Sequence, residues 1–199
     1  MNNTPPAFAP FVDAVAALLV AHPSTVAQKT AHALITAKNN TWQEGKYDSP
    51  WYAKMNDFFA ETKDEHNSLF AKAADISPFL SWRAAINGKI PTLGVAEILG
   101  PTGTVACEES RAGLFFQPAN MFYSWHKHAA EEIYLPIYGT ATWLVTGKPP
   151  AVIPPAGECI HHLSQQAHAM QTTETPVLAL WGWHGDLGFN TYAFCEEEE

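Results

Sequence analysis

The spacing of apolar residues along this 199-residue chain changes once, at Asn87-Gly88, and that change limits the folds open to it. Before it, Phe8, Phe11, Val12, Val15, Leu18 and Leu19 return every three or four positions and mark one face of a helix. Ser24 is placed to cap a second helix that carries Val26, Ala31, Ala33, Leu34 and Ile35. Ser49-Pro50 and Ser77-Pro78 each set a capping hydroxyl before a proline at the first helical position, ahead of the apolar stretches Trp51 to Phe59 and Phe79 to Ile86. Asp64 to Ala74 reads as a further helix. After Gly88 the pattern is that of strands: Val95 to Leu99, Thr104 to Glu108, Leu114 to Gln117, Glu132 to Ile137, Ala141 to Val145, Glu158 to Leu163, His168 to Gln171 and Val177 to Trp181. Gly100-Pro101, Gly147 to Pro150 and Pro154 to Gly157 punctuate them. Many short strands at this spacing predict a mainly β fold, a barrel or sandwich. The expected organisation is a helical region at 1–88 packed on a β-barrel at 89–195, with an acidic tail at 196–199.

Composition narrows the function. An apolar fraction of 47% with 16% charged residues excludes a disordered chain and suits one domain with a sizeable core. The net charge of −9 lies wholly in residues 90–199, which carry three Lys/Arg against twelve Asp/Glu, whereas residues 1–89 balance. No nucleic-acid partner is expected of such a chain, because phosphate neutralisation needs a basic surplus. The acidic half favours a cationic or zwitterionic ligand. Cys107, Cys159 and Cys195 form no CxxC, and reduced thiols in a reducing compartment are expected, Cys159 as a buried structural thiol. Met1 to Pro10 has no positive n-region and Ala14 to Ala21 is too short to span a bilayer, so the expectation is a soluble, cytoplasmic protein without a membrane partner. Monomer and homodimer both stay open.

Six of the nine histidines fall in 126–184. Strand alternation points His126 and His128 to one face, and past a short turn Glu132 and Tyr134 can share it. Two imidazoles and a carboxylate are ligands suited to a divalent transition metal. His161-His162 and His184 lack any such spacing and read as surface or satisfied core histidines; Glu131 reads as a solvated neighbour of Glu132. The many aromatic residues around the motif are mostly barrel core.

The spacing His126, His128, Glu132, Gly139 resembles the first motif of the cupin superfamily, whose fold is a double-stranded β-helix or jelly-roll barrel. Gly157 and His168 resemble the second motif. The sequence departs from the pattern at Asn120, where the first motif starts with Gly, at Leu163-Ser164-Gln165 in place of Pro-x-Gly, and at Thr172 in place of Asn. Phe122 to His128, Glu132-Ile133-Tyr134-Leu135 and His168-Ala169-Met170 narrow the resemblance to the cupin dimethylsulfoniopropionate (DMSP) lyases, in the DddQ-like form with a helical N-terminal extension. The resemblance covers nearly the whole chain.

It implies a carbon–sulfur lyase that cleaves a sulfonium zwitterion to dimethyl sulfide and acrylate by β-elimination. One divalent ion (Zn, Fe, Mn or Co) would be held by His128, Glu132 and His168, with His126 as a further or outer ligand. A tyrosine with an ordinary pKa of ~10 is a poor base at neutral pH, and a nearby metal lowers it. Tyr134 is therefore the candidate base and a possible ligand, and Tyr123 could substitute or assist. Trp125, Trp181 or Trp183 would cradle the dimethylsulfonium, a cation–π contact worth ~2 kcal/mol when desolvated. The rival readings are an iron cupin dioxygenase, a lyase-like enzyme acting on another small substrate, and a non-catalytic small-molecule-binding cupin. A lid over the pocket would come from Asn40 to Ser49 or from Gly182 to Asn190.

Overall fold

Four helices precede the first long strand. They are seen in a computed structural model, which describes residues 4–62 and 67–196. In α1 (Phe8–Ala21) the buried residues Phe8, Phe11, Val12, Val15, Ala16 and Leu19 form the expected stripe. α2 (Thr25–Ala37) buries Val26, Ala27, Thr30, Ala31, Leu34 and Ala37. α3 (Pro50–Glu61) begins as its sequence dictates, with Pro50 in the first turn and the Ser49 hydroxyl accepting from the Trp51 amide. α4 (Ser68–Ile76) is capped by Asn67, whose side-chain oxygen accepts from the amides of Leu69 and Phe70. The helix expected over Asp64 to Ala74 thus starts at Ser68, and residues 64–66 lie outside the described residues, as do residues 197–199 of the acidic tail.

The second Ser-Pro pair behaves differently. Ser77–Phe79 makes only a 3-10 turn, and Phe79 to Ile86 is not a helix. The Ser77 hydroxyl is taken by the Trp82 indole N–H at 2.9 Å instead of capping a helix, and the chain from Arg83 enters a sheet.

The strands are β1 (Arg83–Ala85), β2 (Ile90–Gly100), β3 (Val105–Ala106), β4 (Ser110–Gln117), β5 (Phe122–Lys127), β6 (Glu131–Tyr138), β7 (Ala141–Val145), β8 (Ala151–Val152), β9 (Ile160–His162), β10 (His168–Thr172), β11 (Val177–His184) and β12 (Ala193–Phe194). One sheet runs β1-β2-β4-β11-β6-β9, with β3 beside β2; the other runs β12-β5-β10-β7-β8. Their facing side chains form one apolar cluster, with Phe115 and Trp181 from the first sheet and Tyr123, Trp143 and Met170 from the second. This is the cupin barrel.

Strand alternation divides the first sheet into two faces. Ile133, Leu135 and Ile137 of β6 and Leu178 and Leu180 of β11 pack with the helices in one continuous apolar core. Their neighbours Tyr134, Ala179, Trp181 and Trp183 point into the barrel. α2 lies against the sheet where β11 has Gly182; a Cβ there would strike the side chain of Thr30. Gly139, which ends the first motif, turns the chain from β6 to β7 at φ +70°, and a Cβ there would strike the carbonyl of Pro176.

At two of the departures from the cupin pattern the backbone still takes the turn, and at a third the side chain secures it. Asn120 and Gln165 both have left-handed backbone, at φ +54° and +61°, the conformation glycine usually supplies. Their amides are bonded to the carbonyls of Thr173 and His128, which holds the two turns. Thr172 ties down the first turn, donating to the Pro118 carbonyl at 2.6 Å and accepting from the Met121 amide.

Candidate metal centre and active site

Three imidazoles and a carboxylate meet inside the barrel, each at most 2% exposed: His126, His128, Glu132 and His168. The sequence spacing sets two of them on or just after β5 and one at the start of β6. Pairing of β10 with β5 brings His168 directly across from His126.

The tautomers are fixed by the backbone. His126 Nδ1 donates to the Ser124 carbonyl at 2.7 Å, His128 Nδ1 to the Ala130 carbonyl at 3.0 Å, and His168 Nδ1 to the Gln166 carbonyl at 2.9 Å. A carbonyl can only accept, so each Nδ1 carries a proton, and in the neutral ring Nε2 is the nitrogen left with a lone pair for a metal. His128 Nε2 and His168 Nε2 lie 3.4 and 3.2 Å from Glu132 Oε2. Ligand atoms of His128, Glu132 and His168 fall within 4.8 Å of one another, the one such group among the described residues. His168 Nε2 is buried with no hydrogen-bond partner. Two neutral imidazole nitrogens and a carboxylate oxygen converging in this way suit a divalent transition metal.

His126 sits at the edge of this group. Its ring meets His168 edge-on at 4.1 Å and stacks on Tyr123 at 4.1 Å. Burial, and next the neighbouring His168, hold its pKa well below the ordinary histidine value. Burial would raise the Glu132 carboxyl, but His128 foremost, with His162 and His168, overcomes this and holds it well below the usual carboxylate range.

Tyr134 lies on the same face of β6, fully buried, and burial together with the Glu132 charge pushes its phenol well above the ordinary value. Tyr123 reaches the pocket through a bulge. The register between β5 and β10 slips between His168 and Met170, so that Tyr123, three residues before His126, faces the same way. Its hydroxyl is 2.9 Å from that of Tyr192, and burial raises both phenols. Trp181 and Trp183 line the pocket; Trp125 is half-buried and does not.

Of the two segments expected to cover the site, Asn40 to Ser49 lines other cavities, whereas Gly182 to Asn190 brings Trp183 and Phe189 to the pocket, with Tyr192 just beyond it. That segment is moored by Arg111, which donates to the Leu187 carbonyl at 3.1 Å and lies 4.4 Å over the Phe189 ring. Arg111 is itself held by buried Glu97 at 2.7 Å, and Glu97 also binds Arg83, another residue of the pocket wall.

Sequence spacing missed Arg83, Phe189 and Tyr192 because strand pairing and a distant loop bring them in. It also missed His162. His184 is a half-buried histidine satisfied between Thr30 and Ser110, and Cys159 is a buried thiol pushed up to about 12 by burial. His162, in contrast, is 1% exposed and donates from Nδ1 to Glu132 Oε2 at 3.0 Å.

Comparison with known proteins adds the following. Residues 21–179 match the model of the dimethylsulfoniopropionate lyase family. Over 90 residues the chain is 38% identical to dimethylsulfoniopropionate lyase DddQ of Ruegeria pomeroyi; this match covers 45% of the chain and 44% of that relative, less than half the length of each. The crystal structure of DMSP lyase DddQ from Ruegeria pomeroyi superposes with a TM-score of 0.70 at 24% identity, over 98% of this chain and 100% of that one. A solved structure described under the DMSP lyases RdDddP and RnDddQII gives a TM-score of 0.68 at 21% identity, over 96% and 98%. These two likenesses show the fold over the matched 96–98% of the chain, the helical region included. No helix among the described residues is long and apolar enough to cross a membrane.

Proposed function

The chain belongs to the dimethylsulfoniopropionate lyase family, and we propose that it is a metal-dependent carbon–sulfur lyase that splits DMSP into dimethyl sulfide and acrylate. The observation that carries this reading is a buried tyrosine, Tyr134, on the same strand face as a carboxylate that meets two imidazole lone pairs. His128 Nε2, Glu132 Oε2 and His168 Nε2 would hold one divalent ion, with His126 beside them. When bound, such an ion supplies Lewis acidity to the substrate carboxylate and a positive charge that lowers nearby phenol pKa values.

The protein's own residues do the rest. Tyr134, as the phenolate that the charge of a bound ion would favour, takes at Oη the proton from the carbon next to the carboxylate. The electrons of that C–H bond form the carbon–carbon double bond, and the bond from the β-carbon to sulfur breaks with its pair leaving on sulfur. The products are neutral dimethyl sulfide, acrylate and a proton held on Tyr134. Tyr123, paired with Tyr192, stands ready to assist. The faces of Trp181 and Trp183 receive the sulfonium, a contact worth ~2 kcal/mol once water is gone, and Phe189 helps to keep water out. The substrate is thus a small zwitterion, in keeping with an acidic chain.

The test is product stoichiometry. Protein reconstituted with one equivalent of zinc, iron, manganese or cobalt is mixed with DMSP without oxygen, and acrylate and dimethyl sulfide are quantified. Equimolar release that a chelator stops is expected. Intact DMSP in a sample with confirmed bound metal would overturn the reading, and consumption of oxygen on adding air would point to the dioxygenase instead.

A further inference from the structure

We propose that His162 and Trp183 form a clamp that fixes the three metal-binding side chains in position, so that both are positioning residues of the centre. The proposal rests on the reading of His128, Glu132 and His168 as metal ligands and goes beyond it.

The clamp is built by strand register. Glu132 lies on β6 between two neighbours. His162 of β9 is its direct partner on one side and Trp183 of β11 its direct partner on the other. Side chains at paired positions share a face and lie about 5 Å apart at Cβ. All three therefore project into the barrel together.

Each of the two residues touches two ligands. His162 Nδ1 donates to Glu132 Oε2 at 3.0 Å, and its ring lies flat on His168, with centroids 3.8 Å apart and planes 16° apart. The Trp183 indole N–H donates to Glu132 Oε1, and its ring packs on His128 at 4.3 Å. Both carboxylate oxygens thus have a donor, and both ligand imidazoles have an aromatic plane against them. A carboxylate so held cannot rotate about its last bond without losing both hydrogen bonds.

An ordinary core histidine would not need this arrangement. His126, His128 and His168 each satisfy Nδ1 on a nearby backbone carbonyl. His162 alone among these four spends Nδ1 on a ligand carboxylate, while its Nε2 has no partner. No ring nitrogen of His162 belongs to the convergent group of ligand atoms. The ring is therefore placed to orient Glu132 from outside that group. Trp183, expected from sequence only as a substrate wall, has its one polar atom committed to the same carboxylate. Outer partners of this kind typically change metal affinity 10–100-fold.

Three substitutions separate the donors from the packing. Trp183→Phe keeps a ring on His128 and removes the donor. His162→Phe keeps a ring on His168 and removes the donor. His162→Asn keeps a donor near Oε2. Zinc affinity is read by competition with a chromophoric chelator, and cobalt-substituted protein is read by its visible absorption. Thermal unfolding of the metal-free proteins monitors the fold. The two Phe variants should bind zinc about 10–100-fold more weakly and change the cobalt spectrum, while the metal-free proteins still unfold in one cooperative transition. His162→Asn should recover most of the affinity that His162→Phe loses.

Wild-type zinc affinity and cobalt spectrum in both Phe variants would overturn the proposal. If His162→Phe does not fold, Trp183→Phe decides alone, and an unchanged affinity and spectrum in it would overturn the clamp. None of these readouts uses DMSP. A protein that binds zinc in this clamp-dependent way without cleaving DMSP would sink the lyase reading and leave the clamp standing.

Discussion

The two faces of β6 are one residue apart and obey different rules. Ile133, Leu135 and Ile137 are fully buried against the helices, and what places them there is alternation and apolarity. Glu132 and Tyr134 are as well buried, but each needs partners of a particular kind, because burying a charge or a hydroxyl without them is costly. The outer face accepts any apolar side chains of about the right volume. On the inner face two histidine tautomers, one carboxylate rotamer and one phenol are set together, and the proposed chemistry needs all of them. Substitution on the outer face should therefore cost stability, and substitution on the inner face should cost metal or turnover at little cost in fold.

The largest effect expected is on the inner face. His168→Ala should lose bound metal and DMSP cleavage together, read by elemental analysis of the purified protein beside the rate. Full metal stoichiometry in that variant would remove His168 from the ligand set. Tyr134→Phe should keep the metal and lower the rate of dimethyl sulfide release by about 10²–10⁴-fold, the usual contribution of a positioned general base. An unchanged rate would move the base elsewhere, with Tyr123 the next residue to replace.

On the outer face, Leu180→Ala removes a fully buried side chain from the core between sheet and helices. It should lower unfolding stability by about 2–5 kcal/mol in denaturant titrations, with zinc affinity as in wild type. A loss of zinc affinity matching that of His168→Ala would mean that the two faces are not separable.

How much of this contrast could be read from sequence follows the same division. The stripes of α1 and α2 and most strands were legible because helix and strand periods report burial directly. His126, His128, Glu132 and Gly139 were legible because their spacing lies within one strand–turn–strand unit. Phe79 to Ile86 misled because a Ser-Pro pair looks the same whether its hydroxyl caps a helix or, as with Ser77, receives the Trp82 indole. Tyr123 depends on a bulge, and alternation alone would have turned it away from His126. His162, Tyr192 and Phe189 depend on strand register or on the path of a distant segment, and neither is written in local spacing. His161-His162 carries no sign of which neighbour will lie across from Glu132.

The smallest effect sharpens the comparison at the rim of the first sheet. His184 ends β11 on the helix side, with Nε2 3.1 Å from the Thr30 hydroxyl and Nδ1 3.2 Å from that of Ser110. The Thr30 hydroxyl donates to the Val26 carbonyl, so it accepts from Nε2, and Ser110 donates to Nδ1; the neutral ring is satisfied on both sides. Burial, and next the Lys29 charge, push its pKa down to about 4. In the unfolded chain it titrates near the ordinary ~6.5. The unfolded state therefore binds more protons between these values, and stability is full above about pH 6.5 and falls as pH drops toward 4. The unfolding temperature of His184→Asn should depend less steeply on pH across this window than that of wild type. Parallel curves would show that His184 is not among the groups responsible.

The central claim is tested most directly by headspace gas chromatography for dimethyl sulfide. Metal-loaded protein is mixed with DMSP, beside the same protein treated with a chelator and the chelated protein given its metal back. The account predicts rapid release from the loaded sample, none above background from the chelated one, and recovery on restoring the metal. Release that is the same in all three samples would contradict a metal-dependent lyase, and no release from protein with one bound metal per chain would contradict DMSP as its substrate.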